Sequence, residues 1–569
     1  MNSTIMQKSW NIKQPDPQQS DALSQELKIH PIIARLLINR NITDIDEAKI
    51  FLSADLNLLH DPFQLKGMTE AVARIRLACE RKEKILVFGD YDVDGVTSSA
   101  LLYSELSRMG LNVINHIPHR MHDGYGLNHE IADTAVNEGV SLLITVDCGI
   151  TAVEEVKTLT SKGLDVIIID HHEPGEAGAP EALAIINPKQ KECPYPFKEL
   201  ASVGLTAKVL QALRGQVPVD CLDLVAIGTI ADIVPLRGEN RIFVKAGLPL
   251  VNKTDNKGLQ ALLEVSKIKG KKISPFHVGF ILGPRINATG RMDSAHTSLE
   301  LLLAEDSQKA YQLAFMLEQH NVDRQKMQKQ ITDEAMALVE QEINFKTEKV
   351  IVVSKEGWHK GVLGIVASKM ADKYYRPSIV ISLENGVGTA SARSINGFHL
   401  HEALQDCSQC LETFGGHEAA AGLTIRQENI DLFKDLINKT AVNILERKKL
   451  SPVITIDCEI SLSDISLDLA NIIDTLEPFG EGNPLPLFCT YGVIAKSYGQ
   501  ALGRETLKFW VTDGNAAVSV VGFGMAKFKP LIKPGTRLDL VFQIAIDDWN
   551  KAPVPQLLLK DIRVSEDAE

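Results

Sequence analysis

The chain contains no apolar run of the ~20 residues that a membrane span requires. Its first twenty residues, MNSTIMQKSWNIKQPDPQQS, lack the apolar core of a secretory signal, so neither insertion nor export is expected. Cysteine is sparse, with eight residues scattered over 569. That suits a reducing cytoplasm better than a disulfide scaffold. Cys407 and Cys410 form a lone CxxC with no second pair nearby, and no zinc site is expected from it. An excess of positive charge is also missing. The formal net charge of −13 argues against a surface that binds nucleic acid all over and leaves room for a confined basic channel. The tract KIKGKK, Lys267–Lys272, is locally basic and by itself reads as a solvated loop. Tandem repeats and low-complexity tracts are absent.

What is present is ordinary globular material, 44% hydrophobic, enough for about three or four domains. Residues 1–60 read as a helical lead-in, with PIIARLLINR and DIDEAKIFL as its helices. From about 80 to 235, KILVFG, LNVINHIP, SLLITVD, LDVIIID and ALAIINP alternate with helical stretches. That alternation predicts a mostly parallel sheet with helices on both faces. CLDLVAIGTIADIVPL, Cys221–Leu236, reads as a buried helix. Residues 307–343 carry one helical pattern free of Gly and Pro, which at ~1.5 Å per residue would reach ~55 Å and bridge two domains. A second α/β segment follows to about 447, and the rest is strand-rich, as in a small oligonucleotide-binding-type barrel.

The chemistry concentrates at GDYDVDG, Gly89–Gly95, where Asp90, Asp92 and Asp94 crowd three like charges into five residues. Such crowding needs a cation to offset it. A calcium loop of the D-x-D-x-D-G type is ruled out, because position twelve, counted from Asp90, is Leu101 rather than Glu. The stretch instead joins an apolar strand to a helix, where α/β folds place their chemistry. Three further apolar runs end in metal-type ligands: Asp147 in VDCG, Asp170, His171 and His172 in DHH, and Asp232 in ADIVPL. Mixed carboxylate and imidazole donors suit Mn²⁺ or Mg²⁺, and so many carboxylates suit two ions. A two-metal phosphoesterase follows.

GDYDVDG, VDCG, DHH and ADIVPL resemble, in chain order, the motifs of the DHH phosphoesterase superfamily. LGPRINATGRMDSA, NVDRQ, GWHKGVLGIVAS, SARSINGFHLHEAL, GGHEAAAG and LEPFGEGNPLP resemble motifs of its RecJ family of single-strand-specific exonucleases, from about residue 60 to the C-terminus. The resemblance implies 5′-to-3′ removal of nucleoside 5′-monophosphates from single-stranded DNA in repair and recombination. It implies an α/β fold: a DHH domain (61–306), a connecting long helix (307–345), a DHHA1 domain (346–447) and an OB-like β-barrel (448–569), after the lead-in. It implies that Asp92 holds one metal and Asp94 the other, that Asp147 bridges them, and that His171 and Asp232 complete the second site. His172 then faces the scissile phosphate, Asp170 orients His171, and Asp90 is a further ligand or stands behind the ligands. Ser391 and Arg393 are expected to bind the 5′-terminal phosphate, and Arg120 and Arg291 to clamp other phosphates. Gly415, Gly416 and His417 are expected to grip the strand, and Tyr125 to stack on a base. A channel between the two α/β domains would admit one strand only. The resemblance further implies a monomer in the cytoplasm with helicase and single-strand-binding-protein partners. Two other readings are a hydrolase of short oligoribonucleotides or cyclic dinucleotides, and a non-catalytic replication scaffold. Length argues against the first, and the complete ligand set against the second.

Overall fold

The computed structural model describes residues 8–118, 126–128, 130–175, 177–292, 295–445, 451–548 and 552–565, with side chains to residue 290 in the segment that ends at 292. The chain forms two compact units. The larger holds Trp10–Gly283, Ser298–Tyr311 and Val453–Glu569, and the smaller holds Pro284–Thr297 and Gln312–Pro452.

In the larger unit, five apolar runs form parallel strands: β1 (Lys84–Gly89), β2 (Asn112–His116), β3 (Val140–Val146), β4 (Asp165–Ile169) and β5 (Ala184–Ile186). Their order across the sheet is β2-β1-β3-β4-β5. Leu86, Phe88, Leu143, Val166 and Ile168 pack on one face against the helices Glu130–Asn137 and Val153–Ser161. The opposite face meets the helices Val93–Arg108 and Ser202–Arg214. Central strands covered on both sides need apolar residues at every position, which is why these runs do not alternate. The register is level: Gly89 pairs with Val146, Val146 with Ile169, and Ile169 with Ile186. Whatever follows each strand therefore emerges at one edge, side by side.

The helix predicted over Cys221–Leu236 is shorter than its apolar run. It spans Leu222–Ala231 and stops at Asp232, after which Ile233 takes a left-handed conformation with φ +62°.

The strand-rich tail forms β11 (Phe488–Ala495), β12 (Thr506–Thr512), β13 (Ala517–Gly522), β14 (Arg537–Asp547) and β15 (Val554–Val564). They close as a ring, β11-β14-β15-β13-β12 and back to β11, because Ile494 pairs with Thr512. Closure of five strands matches the expected OB-like barrel. The lead-in is not purely helical. It adds a strand, Ser9–Ile12, beside Val453–Ile456, and its Ile33, Leu36 and Leu37 share one core with Phe488, Phe509 and Phe542 of the barrel.

In the smaller unit, β6 (Ile351–Glu356) and β7 (Ser378–Glu384) are parallel. β8 (Val387–Arg393), β9 (Leu411–Gly416) and β10 (Ala420–Arg426) extend that sheet antiparallel, in the order β9-β10-β8-β7-β6. The predicted long helix is Ser307–Glu342, 36 residues. Cys407 and Cys410 are buried free thiols. Among the described residues no helix is long and apolar enough to cross a membrane.

A buried guanidinium ties the larger unit together. Arg241 donates to the carbonyls of Phe51 (2.6 Å), Glu477 (3.0 Å) and Pro478 (3.3 Å), and lies 3.8 Å from the Phe51 ring centroid. Arg241→Ala leaves three carbonyls without that donor. We expect a loss of about 3 kcal/mol, seen in calorimetry as an earlier unfolding transition. An unchanged thermogram would contradict the linkage.

Candidate metal centre

Level strand ends decide where the acids go. Asp90, Asp147 and Asp170 directly follow β1, β3 and β4. Each donates its own N–H across to the neighbouring strand: Asp90 to Val146 O (3.3 Å), Asp147 to Ile169 O (2.9 Å) and Asp170 to Ile186 O (3.2 Å). Asp147 turns out of the sheet with φ +65°. Asp92 caps the helix Val93–Arg108, accepting the N–H groups of Asp94 (2.9 Å) and Gly95 (3.1 Å). Gly95 is required by space, since a Cβ there would lie 2.4 Å from Asp90 O. Asp94 is fully buried, and its two oxygens accept the N–H groups of Ser202 (2.7 Å) and Val203 (2.9 Å), which open the helix Ser202–Arg214.

Asp232 arrives from a helix end rather than a strand. His171 Nε2 lies 3.5 Å from Asp147 Oδ1 and 3.5 Å from Asp232 Oδ2. All three atoms are buried and without a hydrogen-bond partner among the described residues. An imidazole nitrogen set between two carboxylate oxygens, with all three atoms unpartnered, fits a cation. Ligand atoms within 4.8 Å of one another group as Asp94 with His171 and Asp232, Asp90 with Asp92 and Asp147, and Asp147 with His171 and His172.

Asp170 corrects one expectation. It holds His172 rather than His171, accepting from His172 N (3.1 Å) and pairing with His172 Nδ1 at 2.7 Å. Its other oxygen accepts from Ile150 N at 2.9 Å. Adjacent residues after a strand point to opposite sides, so the carboxylate reaches the residue two positions on. Asn187, which follows β5, donates to His172 O at 2.9 Å. Asn187 was not singled out in the sequence, although the end of an apolar strand was the signal that found the acids. Ser202 and Val203 carry no sequence signal, because they act through backbone groups 108 and 109 positions from Asp94.

The smaller unit brings other named residues together. Ser391 and Arg393 share β8, and Arg393 Nη1 lies 3.5 Å from Ser391 Oγ. Both flank the first turn of the helix Leu363–Tyr374: a Cβ at Gly364 would lie 3.0 Å from Arg393 Nη2 and 3.1 Å from Ser391 Oγ. The segment GGHEAAAG is a strand, tight turn and strand. Arg393 pairs with Ala420 in register, and His417 N–H donates to Ala420 O at 2.8 Å. Gly416 has φ +139°, and a Cβ there would lie 2.4 Å from Ala420 O. Gly415 has open space around it. Arg120, Tyr125 and the Arg291 side chain lie outside the described residues.

Known proteins share this organisation. Residues 84–229 match the DHH family, N-terminal domain; 347–443 the DHHA1 domain; and 456–561 the RecJ OB domain. The single-stranded-DNA-specific exonuclease RecJ of Bacillus subtilis is 41% identical over 560 residues, spanning 98% of this chain and 71% of that protein. RecJ of Dickeya dadantii is 34% identical, spanning 93% of this chain and 96% of its own. The chain belongs to the RecJ family. The crystal structure of RecJ from Thermus thermophilus in complex with Mn²⁺ matches this fold with a TM-score of 0.83 at 29% identity, over 99% of this chain and 80% of that one.

Within this RecJ-family DHH domain the acids repel one another strongly. Burial, then Asp92, pushes the Asp94 carboxyl up to about 7. Burial, then Asp94 and Asp92, pushes Asp232 up to about 9 and Asp147 well above the carboxylate range. Burial and the neighbouring His172 pull His171 down to about 3, so its imidazole is neutral and able to ligate. Burial also opposes charge on His172, but the bond to Asp170 outweighs it and the net shift is upward.

These shifts fix a pH dependence for the metal-free protein. Asp94 and Asp232 have folded-state values above their unfolded ones, so their contribution is fully present below about pH 4 and is lost as pH rises through about 7 and about 9. We expect melting temperatures in EDTA to fall across that window and Mn²⁺ to flatten the fall. A slope identical with and without Mn²⁺ would contradict ligation by these acids.

Proposed function

We propose that this RecJ-family enzyme is a two-metal-ion exonuclease that degrades single-stranded DNA from its 5′ end to nucleoside 5′-monophosphates. The observation that carries this reading is the meeting of five carboxylates and two imidazoles at one sheet edge, with the unpartnered His171 Nε2 3.5 Å from both Asp147 Oδ1 and Asp232 Oδ2. Its relatives from Bacillus subtilis and Dickeya dadantii are single-stranded-DNA-specific exonucleases.

Asp94, His171 and Asp232 would hold one ion, and Asp90, Asp92 and Asp147 the other; Asp147, which also groups with His171 and His172, would serve both. Manganese or magnesium, when bound, supplies the positive charge that stabilises the developing phosphoryl charge. The chain's own part is positioning. Asp94 is fixed by two backbone donors at a helix N-terminus, and Asp92 by its cap. His172, held through Nδ1 by Asp170, leaves Nε2 to donate to a phosphate oxygen at the scissile bond. Ser391 and Arg393 bind the 5′-terminal phosphate beside the first turn of the helix Leu363–Tyr374, where backbone donors and the helix dipole favour an anion. The Gly415–His417 turn lets backbone approach the strand closely. We take the functional divisions to be 61–306, 307–345, 346–447 and 448–569 after the lead-in. The same reading makes the enzyme a cytoplasmic monomer that works beside a helicase and a single-strand-binding protein.

Asp147→Ala should lower mononucleotide release from 5′-labelled single-stranded DNA by more than about 100-fold while retaining DNA binding in EDTA. Full activity would remove the metal assignment. Arg393→Ala should weaken binding of 5′-phosphorylated strands about ten-fold or more and 5′-hydroxyl strands much less. Equal loss on both would count against the phosphate pocket.

A further inference from the structure

The chain leaves Asp232 under constraint. Ile233 is β-branched yet has φ +62°, a conformation such residues hold only when their surroundings impose it. Here a neighbouring loop imposes it. Leu236 N–H donates to Glu481 O at 2.8 Å, and Arg237 Nε to Gly482 O at 3.2 Å. The Ile233 side chain is left 70% exposed. It borders a groove of about 530 Å³ whose other walls include Phe276, Phe280, Phe479 and Leu485.

Phe276 and Phe280 are 60% and 72% exposed. Their rings stack on each other, with centroids 5.0 Å apart and planes 25° apart. Flat aromatic faces left bare in water beside an exposed isoleucine mark an interaction surface. Phe280 sits on a single π-helical turn, Val278–Leu282, a form that recurs at functional sites. A Cβ at Gly283, which ends that turn, would lie 3.8 Å from both Ala231 Cβ and Val93 Cγ2. The turn is thus seated against Ala231, beside Asp232, and Val93, between Asp92 and Asp94, and two residues that line the groove, Ala231 and Ile233, flank Asp232 in the chain.

The basic tract KIKGKK leads into the same segment. Lys267, Lys269, Lys271 and Lys272 are exposed. Glu264 offsets Lys269 at 3.1 Å and Glu477 offsets Lys272 at 2.6 Å. Lys271 acts on His277, which, already depressed by burial, is lowered further by that charge. His277 in turn meets Phe276 edge-on, with centroids 5.9 Å apart. Cations next to stacked rings are what a single strand needs, phosphate on one and base on the other. A purely apolar peptide has no use for the lysines.

We propose that this groove is a base-stacking subsite, in which an unpaired nucleobase of the strand at the metal centre lies on Phe280 and Phe276 against Ile233. The proposal rests on the nuclease reading and extends it: a duplex keeps its base faces stacked internally, so the subsite selects single strands by chemistry.

The test is fluorescence anisotropy of the full chain in EDTA, with labelled oligo(dT) and a strand of equal length made of abasic residues. The double variant Phe276→Ala/Phe280→Ala should bind oligo(dT) about ten-fold or more weakly than wild type and the abasic strand no more weakly. Phe280→Trp should keep tight oligo(dT) binding. Both rings are mostly exposed, and an unchanged melting temperature will show that the variants fold. Equal oligo(dT) affinity in wild type and double variant overturns the proposal and points to a protein partner instead. Equal loss on both strands also overturns it, since the groove would then not read bases. No hydrolysis enters this measurement. A separate failure of the wild type to release nucleotides in Mn²⁺ would sink the exonuclease reading while the anisotropy still judged the subsite.

Discussion

The organising constraint is repulsion among Asp90, Asp92, Asp94, Asp147 and Asp232. Left to themselves, five acids at one sheet edge would push apart or take up protons. The scaffold resists the first outcome. Level parallel strands fix Asp90 and Asp147, a helix start fixes Asp92, and a helix end fixes Asp232. Asp94 is held by two backbone N–H groups at the N-terminus of the helix Ser202–Arg214, where the helix dipole also favours negative charge. The second outcome is visible in the raised values for Asp94 and Asp232. A divalent ion relieves the strain that the scaffold maintains.

The histidine pair shows how one neighbour divides two identical side chains. Asp170 is buried, yet its bonds to His172 and Ile150 hold its carboxyl below the usual range. That fixed charge favours imidazolium at His172. His171, with no such partner and a charged neighbour, stays neutral. One becomes suited to an anion and the other to a cation, although their ring centroids are only 4.5 Å apart.

The parallel sheet, the 36-residue helix and the closed barrel were legible because each rests on a local pattern: apolar runs, helical spacing, alternating strands. The acids at strand ends were legible for the same reason, since an apolar run followed by Asp marks a sheet edge whatever the rest of the chain does. What Asp170 grips was not, because it depends on which way a turn faces. The anchoring of Asp94 by Ser202 and Val203 was not, because backbone donors look alike in every sequence. Ile233 reads as one more apolar residue of a helix. Only the loop at Glu481 and Gly482 reveals that the helix has already ended.

The guanidinium of Arg241 has a consequence in time. Its partners Phe51 and Glu477 belong to the opening and closing thirds of the chain, and Glu477 lies 236 positions after it. On the ribosome, Arg241 emerges long before that partner is made, so this part of the molecule cannot mature in the order of synthesis. The barrel is consequently a poor candidate for exchange as a cassette between relatives. A graft that misplaced Glu477 and Pro478 would take two of the three carbonyl partners from the buried guanidinium of Arg241.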